Sequence, residues 1–507
     1  MPISFNNIPQ GWKLPLIYIE VDPSQAGTPT SQKYALLVDY KIASGLAPPD
    51  VPIACGSVAD AQSLAGVGSP LARMYERFFQ INKSTPVLVL PIAEPAAGVV
   101  ATGAITVSAG PTQAGTLSLY VAGQLVSVSV ATGDTPTIVG NSIKAALDAL
   151  PGLPVTSTAA AGVVTLTAKW KGQTGNDIRV DQNVLGPNGG EVTPTGLTLT
   201  LPTNGTLAGG TGTPVWTNSI AALGDEPYEY VALGMNDTGS LTAWETEYGF
   251  SDSGRWGWLR ESYGHVMTAK RDTYANLFSY GPTNNSGVMS ILAFEPQSPS
   301  PIYEWVAAYA AEAAKALSID PARPLQTLTL DGVMPAPKNW RFNKTQTNAL
   351  AGIGLAVQMT NAAGIPTIAR EQTTYQKNTL GQADNAYELM TTLATLAELF
   401  RRMRQAITNK YPRHKLANNG TRFGPGQAIV TPNIIKAELV AEYRQDEYDG
   451  LVENGDAFKK FLIVERDDTD PNRVNVLYPP DVVNQLRMFA VLAQFRLQYP
   501  VFENVAA

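Results

Sequence analysis

Two histidines, a single cysteine and a few clustered acids and arginines are the residues of this 507-residue chain best equipped for chemistry. His265 lies in "YGHVMTAKRD", close in sequence to Thr268 and Asp272. A hydrolase would pair such a base with an orienting acid and with a serine on a sharp strand-to-helix turn. "NNSGVMS" supplies serines but no such turn, so His265 is read as a hydrogen-bonded structural residue. Cys55, in "VPIACGSV", has no spacing to His265 or His414 that suggests a thiolate–imidazole pair, and is read as a small buried apolar residue. Neither a phosphate-cradling G-x-x-x-x-G-K-[ST] nor a G-x-G-x-x-G after a strand is present. Asp467, Asp468 and Asp470 crowd "ERDDTDPNR", but a calcium loop needs alternating ligands and a glycine at its bend. A polar hairpin turn between two apolar strands fits better. The expectation is a non-enzyme with no catalytic residue, metal or cofactor.

One charge cluster remains. Arg401, Arg402, Arg404 and Lys410 crowd one half of a long helix, with Arg413 and Lys415 following, in a chain of net charge −7. Either they complement the helix dipole on a solvated face, or they form a basic stripe facing an acidic partner. The net charge gives no reason to expect nucleic acid or an anionic membrane as partner. No apolar run approaches the roughly 18 residues needed to span a bilayer. The opening "MPISFNNIPQGWKLPLIYIEVD" lacks a basic start followed by an apolar core, so it is not read as a signal peptide, and the chain is expected to fold in a cytoplasm.

The elements that must position these residues come in blocks. Charged residues are 16% of the chain, with 44 glycines and 37 prolines, which favours turns and strands over a long coiled coil. Residues 1–30 read as an arm carrying a short strand of Ile17, Tyr18, Ile19 and Val21. From 31 to 95, "KYALLVDY", "SPLARMYERFFQIN" and "TPVLVLPIAEP" read as strand, helix and strand, hence a parallel pair with a crossover. Ser69 caps that helix and Pro70 takes its first position. Between 96 and 212 apolar residues alternate with Ser and Thr. Leu117, Leu119 and Val121 share one strand face, and after a turn at Ala122-Gly123 so do Val126, Val128 and Val130. This stretch, with one helix at "TIVGNSIKAALDALPG", is bounded by Pro/Gly-rich joints and reads as an inserted β-rich outer domain, whose deletion should leave the α/β core folded. The α/β pattern resumes over 213–375.

The last block, 376–507, reads as α+β. Leu389, Leu393, Leu396, Phe400, Met403 and Ile407 give one apolar face to a helix over 385–411, started by a capping-box-like Asn385 and Glu388. "NIIKAELVAEYRQDEYDG" follows as a helix, and "FKKFLIVERD" and "RVNVLYPP" as a hairpin. A final strand, "MFAVLAQFRLQY", has Phe489, Val491, Phe495, Leu497 and Tyr499 alternating along it. Burying those five side chains is worth about 7–15 kcal/mol at most, and that stabilisation is lost if the strand hangs in water. Such a terminal strand invites pairing with another chain.

"IPQGWKLPLIYIEVDPSQAG", "GVGSPLARM", "GTLSLYVAGQLVSVSV", "WKGQTGNDIRV", "IAREQTTYQKNTLGQADNAY" and "NRVNVLYPPDVVNQLRMFAVLAQFRL", in this order, resemble the tail sheath proteins of Mu-like contractile-tailed bacteriophages. The resemblance spans nearly the whole chain. It implies a subtilisin-like, non-catalytic α/β core carrying the inserted domain, a C-terminal α+β inner domain and extended terminal arms. It implies a structural subunit that stacks as rings of six around a rigid tail tube and shortens on a baseplate signal to drive the tube through a host envelope. The implied partners are further copies of the chain, the tube protein, and baseplate and tail terminator proteins, with no nucleic acid or membrane. The implied location is the virion tail, after assembly in the host cytoplasm. The arms would knit neighbouring subunits, and the basic helix would face the tube. The competing expectation is an adhesin-like surface protein whose β-rich domain binds glycans, with Trp170 as its one candidate sugar platform. A hydrolase on the α/β core is the third.

Overall fold

The computed structural model describes residues 33–498. The first stretch holds β1 (Tyr34–Tyr40), β2 (Ile53–Cys55), α1 (Val58–Ala65), α2 (Pro70–Ile81) and β3 (Val87–Ile92). β1 and β3 are parallel, with Ala35 opposite Val87 and Tyr40 opposite Ile92. The hydroxyl of Ser69 accepts from the amide of Ala72, and Pro70 opens α2, so the start of this helix is set locally.

Residues 93–212 then leave the sheet. They form β4 (Val100–Ala109), β5 (Gly115–Val121), β6 (Gln124–Val130), α3 (Pro136–Asp148), β7 (Val155–Ala160), β8 (Val163–Lys171), β9 (Val180–Gln182) and β10 (Thr198–Thr200). β10-β4-β8-β7 make one sheet and β6-β5-β9 another. The hairpin of β5 and β6 turns at Ala122 and Gly123, both at positive φ, as a two-residue hairpin turn of matching twist requires. Leu117, Leu119, Val121, Val126, Val128 and Val130 are all buried.

The chain returns through α4 (Thr217–Ala221), β11 (Tyr228–Leu233), α5 (Thr238–Tyr248), β12 (His265–Arg271), α6 (Tyr274–Tyr280), β13 (Met289–Phe294), α7 (Ile302–Ile319), α8 (Lys344–Ala351), β14 (Ala356–Thr360) and β15 (Pro366–Arg370). The main sheet runs β15-β14-β13-β12-β11-β1-β3-β2. Its six central strands are parallel, and β15 and β2 close the two edges antiparallel. The centre of the sheet is buried on both faces, and β11 and β13, buried along their whole length, are apolar but for Glu229 and Ser290. α7 lies against α2 and against β1, β11 and β12. Its alanines at 307, 308, 310, 311, 313 and 314 are fully buried, and their small side chains allow that close approach.

Winding reverses between β1 and β11. In an open α/β sheet, the crevice at the carboxyl ends of the strands beside such a reversal is where ligands bind. Here the chain fills it. Gly172 lies on the ring of Tyr40, Arg271 at the end of β12 pairs with Asp177, and Arg179 donates to the carbonyl of Pro296. Residues from 100–212 and from the main sheet share one continuous buried cluster.

The last stretch contains α9 (Met390–Lys410), β16 (Lys415–Leu416), β17 (Ile429–Val430), α10 (Pro432–Tyr448), α11 (Gly455–Phe461), β18 (Ile463–Arg466) and β19 (Val474–Leu477). Three local expectations are corrected. α9 begins at Met390, not at 385, because the preceding residues pair as extended chain: the amide of Thr373 donates to Glu388 and that of Met390 to Glu371. The Glu388 carboxylate is taken by Arg370 instead of capping the helix. "FKKF" is the end of α11, so the strand starts only at Ile463. Residues 488–498 form no strand. The N-terminal strand of Ile17, Tyr18, Ile19 and Val21, and Tyr499 of the last one, lie outside the described residues.

Candidate assembly surfaces

The residues suspected of chemistry are retired one by one. His265 opens β12 and is buried, and burial pushes its imidazole down to about 3. Its Nε2 is 3.0 Å from Ser290 Oγ, while that hydroxyl donates at 2.8 Å to the carbonyl of Gln372. Ser290 therefore accepts from His265, the reverse of a base activating a nucleophile. Asp272, the acid close to His265 in sequence, follows the opposite end of β12 and is out of position to orient it. Cys55 is buried, and burial pushes its thiol up to about 11, away from the reactive thiolate. The carboxylate of Asp467 accepts from the amides of Thr469 and Asp470, the Thr469 hydroxyl and the Asn475 amide group. These bonds hold it below the ordinary carboxylate range and make the loop a self-capped turn. Trp170 is fully buried, edge-on to Tyr303, and offers no platform to a sugar.

The basic residues of α9 are answered inside the chain. Arg401 grips Glu229 on β11 and stacks over Tyr263. Arg402 reaches Glu398, Asp446 and Asp449. Arg404 pairs with Glu261 and Lys410 with Glu438. Burial alone would raise the Glu398 carboxyl, but Lys33 and Arg402 outweigh it and hold it below its ordinary range. Asp446 is different: burial pushes it up to about 7 in spite of Arg402. Arg401 thus fastens the C-terminal unit to the core, while Arg402 ties α9 to α10 within that unit. Only the side chains of Arg404 and Lys410, 59% and 56% exposed, still face solvent. The acids that receive these cations carry no sequence signal, since nothing local marks Glu229 or Asp446 as a partner.

The C-terminal segment is anchored and then let go. Gln485 donates to the carbonyl of Ala322, Gln326 to that of Leu486, and Arg487 binds the buried carboxylate of Glu371 with both its terminal nitrogens. Past this root the apolar residues stand in solvent: Phe489 is 83%, Phe495 85% and Leu497 96% exposed, with Val491 also exposed. Sequence reasoning missed Glu371, which lies in "IAREQTTY" but gains its role only from a residue 116 positions away.

β18 and β19 form an antiparallel hairpin of two strands, and no third strand joins it among the described residues. The hairpin rests on α10, with Tyr478 edge-on to Phe458 and Phe458 stacked on Tyr443. Ile463, Val476 and Leu477 remain exposed. A two-stranded sheet is marginal alone, and free edges accept further strands. The chain thus presents an apolar segment without a sheet and a sheet without neighbours.

Residues 209–374 match the family model of the phage tail sheath protein central domain, and 382–496 that of the phage tail sheath C-terminal domain. The chain is 39% identical over 499 residues to the Mu-like prophage FluMu tail sheath protein of Haemophilus influenzae, covering 98% of this chain and 100% of that one. Among solved structures it is similar to a sheath tail protein of Desulfitobacterium hafniense, at 12% identity, covering 92% of this chain and 100% of that one with a TM-score of 0.46. It is also similar to one from Listeria innocua, at 12% identity, covering 89% and 92%, with a TM-score of 0.46.

Proposed function

The chain belongs to the phage tail sheath family, and from that premise we propose how its surfaces serve a sheath. It is a structural subunit of a phage tail sheath, a component of the virion tail. In our reading it polymerises as six-fold rings around a tail tube, meets baseplate and terminator proteins at the ends, and contracts without catalysing a reaction. Assembly takes place in the host cytoplasm.

The observation that carries this reading is the pairing of an exposed apolar C-terminal segment with an unaccompanied hairpin. Phe489, Val491, Phe495 and Leu497 gain burial, and their backbone gains partners, when the segment adds to β18–β19 of a neighbouring copy. The strand of Ile17, Tyr18, Ile19 and Val21 is assigned the same kind of role. A strand on an extended tether keeps its backbone bonds while the globular bodies move, as contraction demands.

The core is read as subtilisin-like, with its ligand crevice given over to residues 96–212. That unit sits at the carboxyl edge of the main sheet, while α9 and the C-terminal unit sit at the amino edge, beside Glu229. If the amino edge faces the tube, 96–212 faces outward. Negative-stain microscopy of the purified protein tests the reading: tubes or rings are expected, and discrete monomers that bind glycans would overturn it.

A further inference from the structure

Four Asn-Gly pairs occur in the chain: Asn188-Gly189, Asn204-Gly205, Asn419-Gly420 and Asn454-Gly455. A glycine puts no Cβ beside the backbone nitrogen that follows the asparagine. That nitrogen can attack the asparagine's own side-chain amide carbon wherever it is free to turn towards it. The fold decides which of the four is free.

Three are pinned. Gly189 donates its amide to the carbonyl of Gly186 at 3.0 Å, and a Cβ there would lie 2.4 Å from that of Leu185. Gly205 donates to the carbonyl of Pro202 at 2.8 Å, while the carbonyl of Asn204 accepts from Arg179. Gly455 donates to the Glu447 carboxylate at 2.9 Å, and Asn454 Nδ2 donates to Asp481 at 2.7 Å. In each case the attacking nitrogen already has another acceptor, and that bond must break first.

Asn419-Gly420 differs on each count. It lies in the exposed stretch 418–428 between β16 and β17. The amide of Gly420 has no acceptor among the described residues. Its φ is +83°, and beyond its chain neighbours nothing lies within 4 Å of the place a Cβ would take. The asparagine, by contrast, is held. Asn419 Oδ1 accepts at 2.9 Å from the amide of Asn433, the second residue of α10. The nucleophile is therefore loose and the electrophile fixed. As the nitrogen adds to Cγ, negative charge develops on Oδ1, where a backbone N–H at the positive end of a helix already points.

We propose that Asn419 is a self-modification site, which deamidates through Gly420 in the folded chain far faster than Asn188, Asn204 or Asn454. The Gly420 nitrogen bonds to Asn419 Cγ and loses its proton. The Cγ–Nδ2 bond breaks, and Nδ2 leaves with that proton as ammonia, giving a succinimide ring. Water then opens either ring carbonyl, so position 419 ends as an aspartate or as its β-linked isomer. Each conversion adds a negative charge at the start of α10, beside Asn418, which holds Arg466 at 2.8 Å. The reading concerns the subunit itself and holds whether or not the chain assembles as proposed above.

The wild-type, full-length protein is enough for the test. It is kept folded at mildly alkaline pH and digested with trypsin after a series of times, and the mass gain of an amide turned acid is followed by mass spectrometry. Cleavage after Lys415 and Arg422 isolates residues 416–422, and fragmentation assigns the site. Conversion at 419 should run at least about tenfold faster than at 188, 204 or 454. The same incubation in urea, where neither hydrogen bonds nor packing tell the four glycines apart, should bring the rates together. Equal rates in the folded protein overturn the proposal. So does an undiminished preference for 419 in urea, which would assign it to local sequence and not to the fold.

Discussion

Arg487 holds Glu371 through both carboxylate oxygens, joining the root of the C-terminal segment to the residue that follows β15. The carboxylate is fully buried and the arginine side chain partly so. Arg487→Ala leaves that acid buried without its counter-charge, a change that costs about 3–5 kcal/mol. Urea unfolding should show the loss. Truncation just after Arg487 is expected to behave oppositely, because it keeps the pair and the described residues it removes, 488–498, are all exposed. Its stability should stay within about 1 kcal/mol of the full chain, while tubes no longer form. Ordered tubes from the truncated protein would show that residues 488–507 do not link subunits.

Charge reversal on α9 should separate fastening from docking. Arg401→Glu places a carboxylate against buried Glu229, and Arg402→Glu faces three acids. Each should destabilise the isolated subunit by several kcal/mol, so a loss of assembly in those variants says nothing about a tube. Arg404→Glu and Lys410→Glu sit on exposed pairs, whose worth is about 1 kcal/mol or less. These two carry the test. If α9 faces the tube, they weaken assembly on it more than assembly without it, and equal effects would reject the tube-facing reading.

Asp39 gives a pH signature. One of its oxygens accepts from the amide of Tyr40 at 2.7 Å, and the other has no partner among the described residues. Gly234 crowds it so closely that a Cβ there would lie 1.9 Å from the carboxylate. Burial pushes its carboxyl up to about 7, against the opposing pull of the Tyr40 amide. The folded chain therefore binds this proton more tightly than the unfolded chain, whose carboxyl titrates near 4. The stability it contributes is full below about pH 4 and is lost as pH rises to about 7. Asp39→Asn should remove that slope. The variant gains on the wild type between pH 4 and 7, with a ceiling of roughly 4 kcal/mol, and the difference is flat above it. Chemical denaturation across that range is the measurement, and a difference that does not change with pH would contradict the buried charge.

Residues 96–212 were expected to be removable with the α/β core left folded. The ties found here argue otherwise. Arg73 binds Glu304 on α7 while donating to carbonyls at Ala122 and Gly152, and Arg271 pairs with Asp177. Asp177→Ala should lower the stability of the whole protein by about 3–5 kcal/mol, and calorimetry should show one transition for both parts. Two separate transitions, with only one moved, would restore the independent domain.

What the sequence determined by itself was whatever a few neighbouring residues decide. Ser69 and Pro70 start α2 wherever that helix lies. Alternation puts Leu117, Leu119 and Val121 on one face, and Ala122-Gly123 turns the chain towards Val126. The apolar runs of β1, β3, β11 and β13 follow from burial on both sides. The terminal segment could be read as apolar and without a hairpin partner because both facts are local, and the family was legible in the order of the quoted stretches. Tertiary structure alone decided where the charges went. Arg401 meets an acid 172 residues away, and Arg487 one 116 residues away. A basic stripe looks the same in sequence whether it faces a partner or its own core, because the pairing energy depends on distance and burial, not on spacing along the chain. The start of α9 was misplaced for a related reason: Asn385 and Glu388 have the residue types of a cap, but they close a turn, and the amide of Thr373 draws Glu388 into a pairing outside the helix. The inserted residues looked separable because composition changes abruptly at their boundaries, whereas their attachment rests on Arg73, Arg271 and Tyr40, which belong to the other part of the fold.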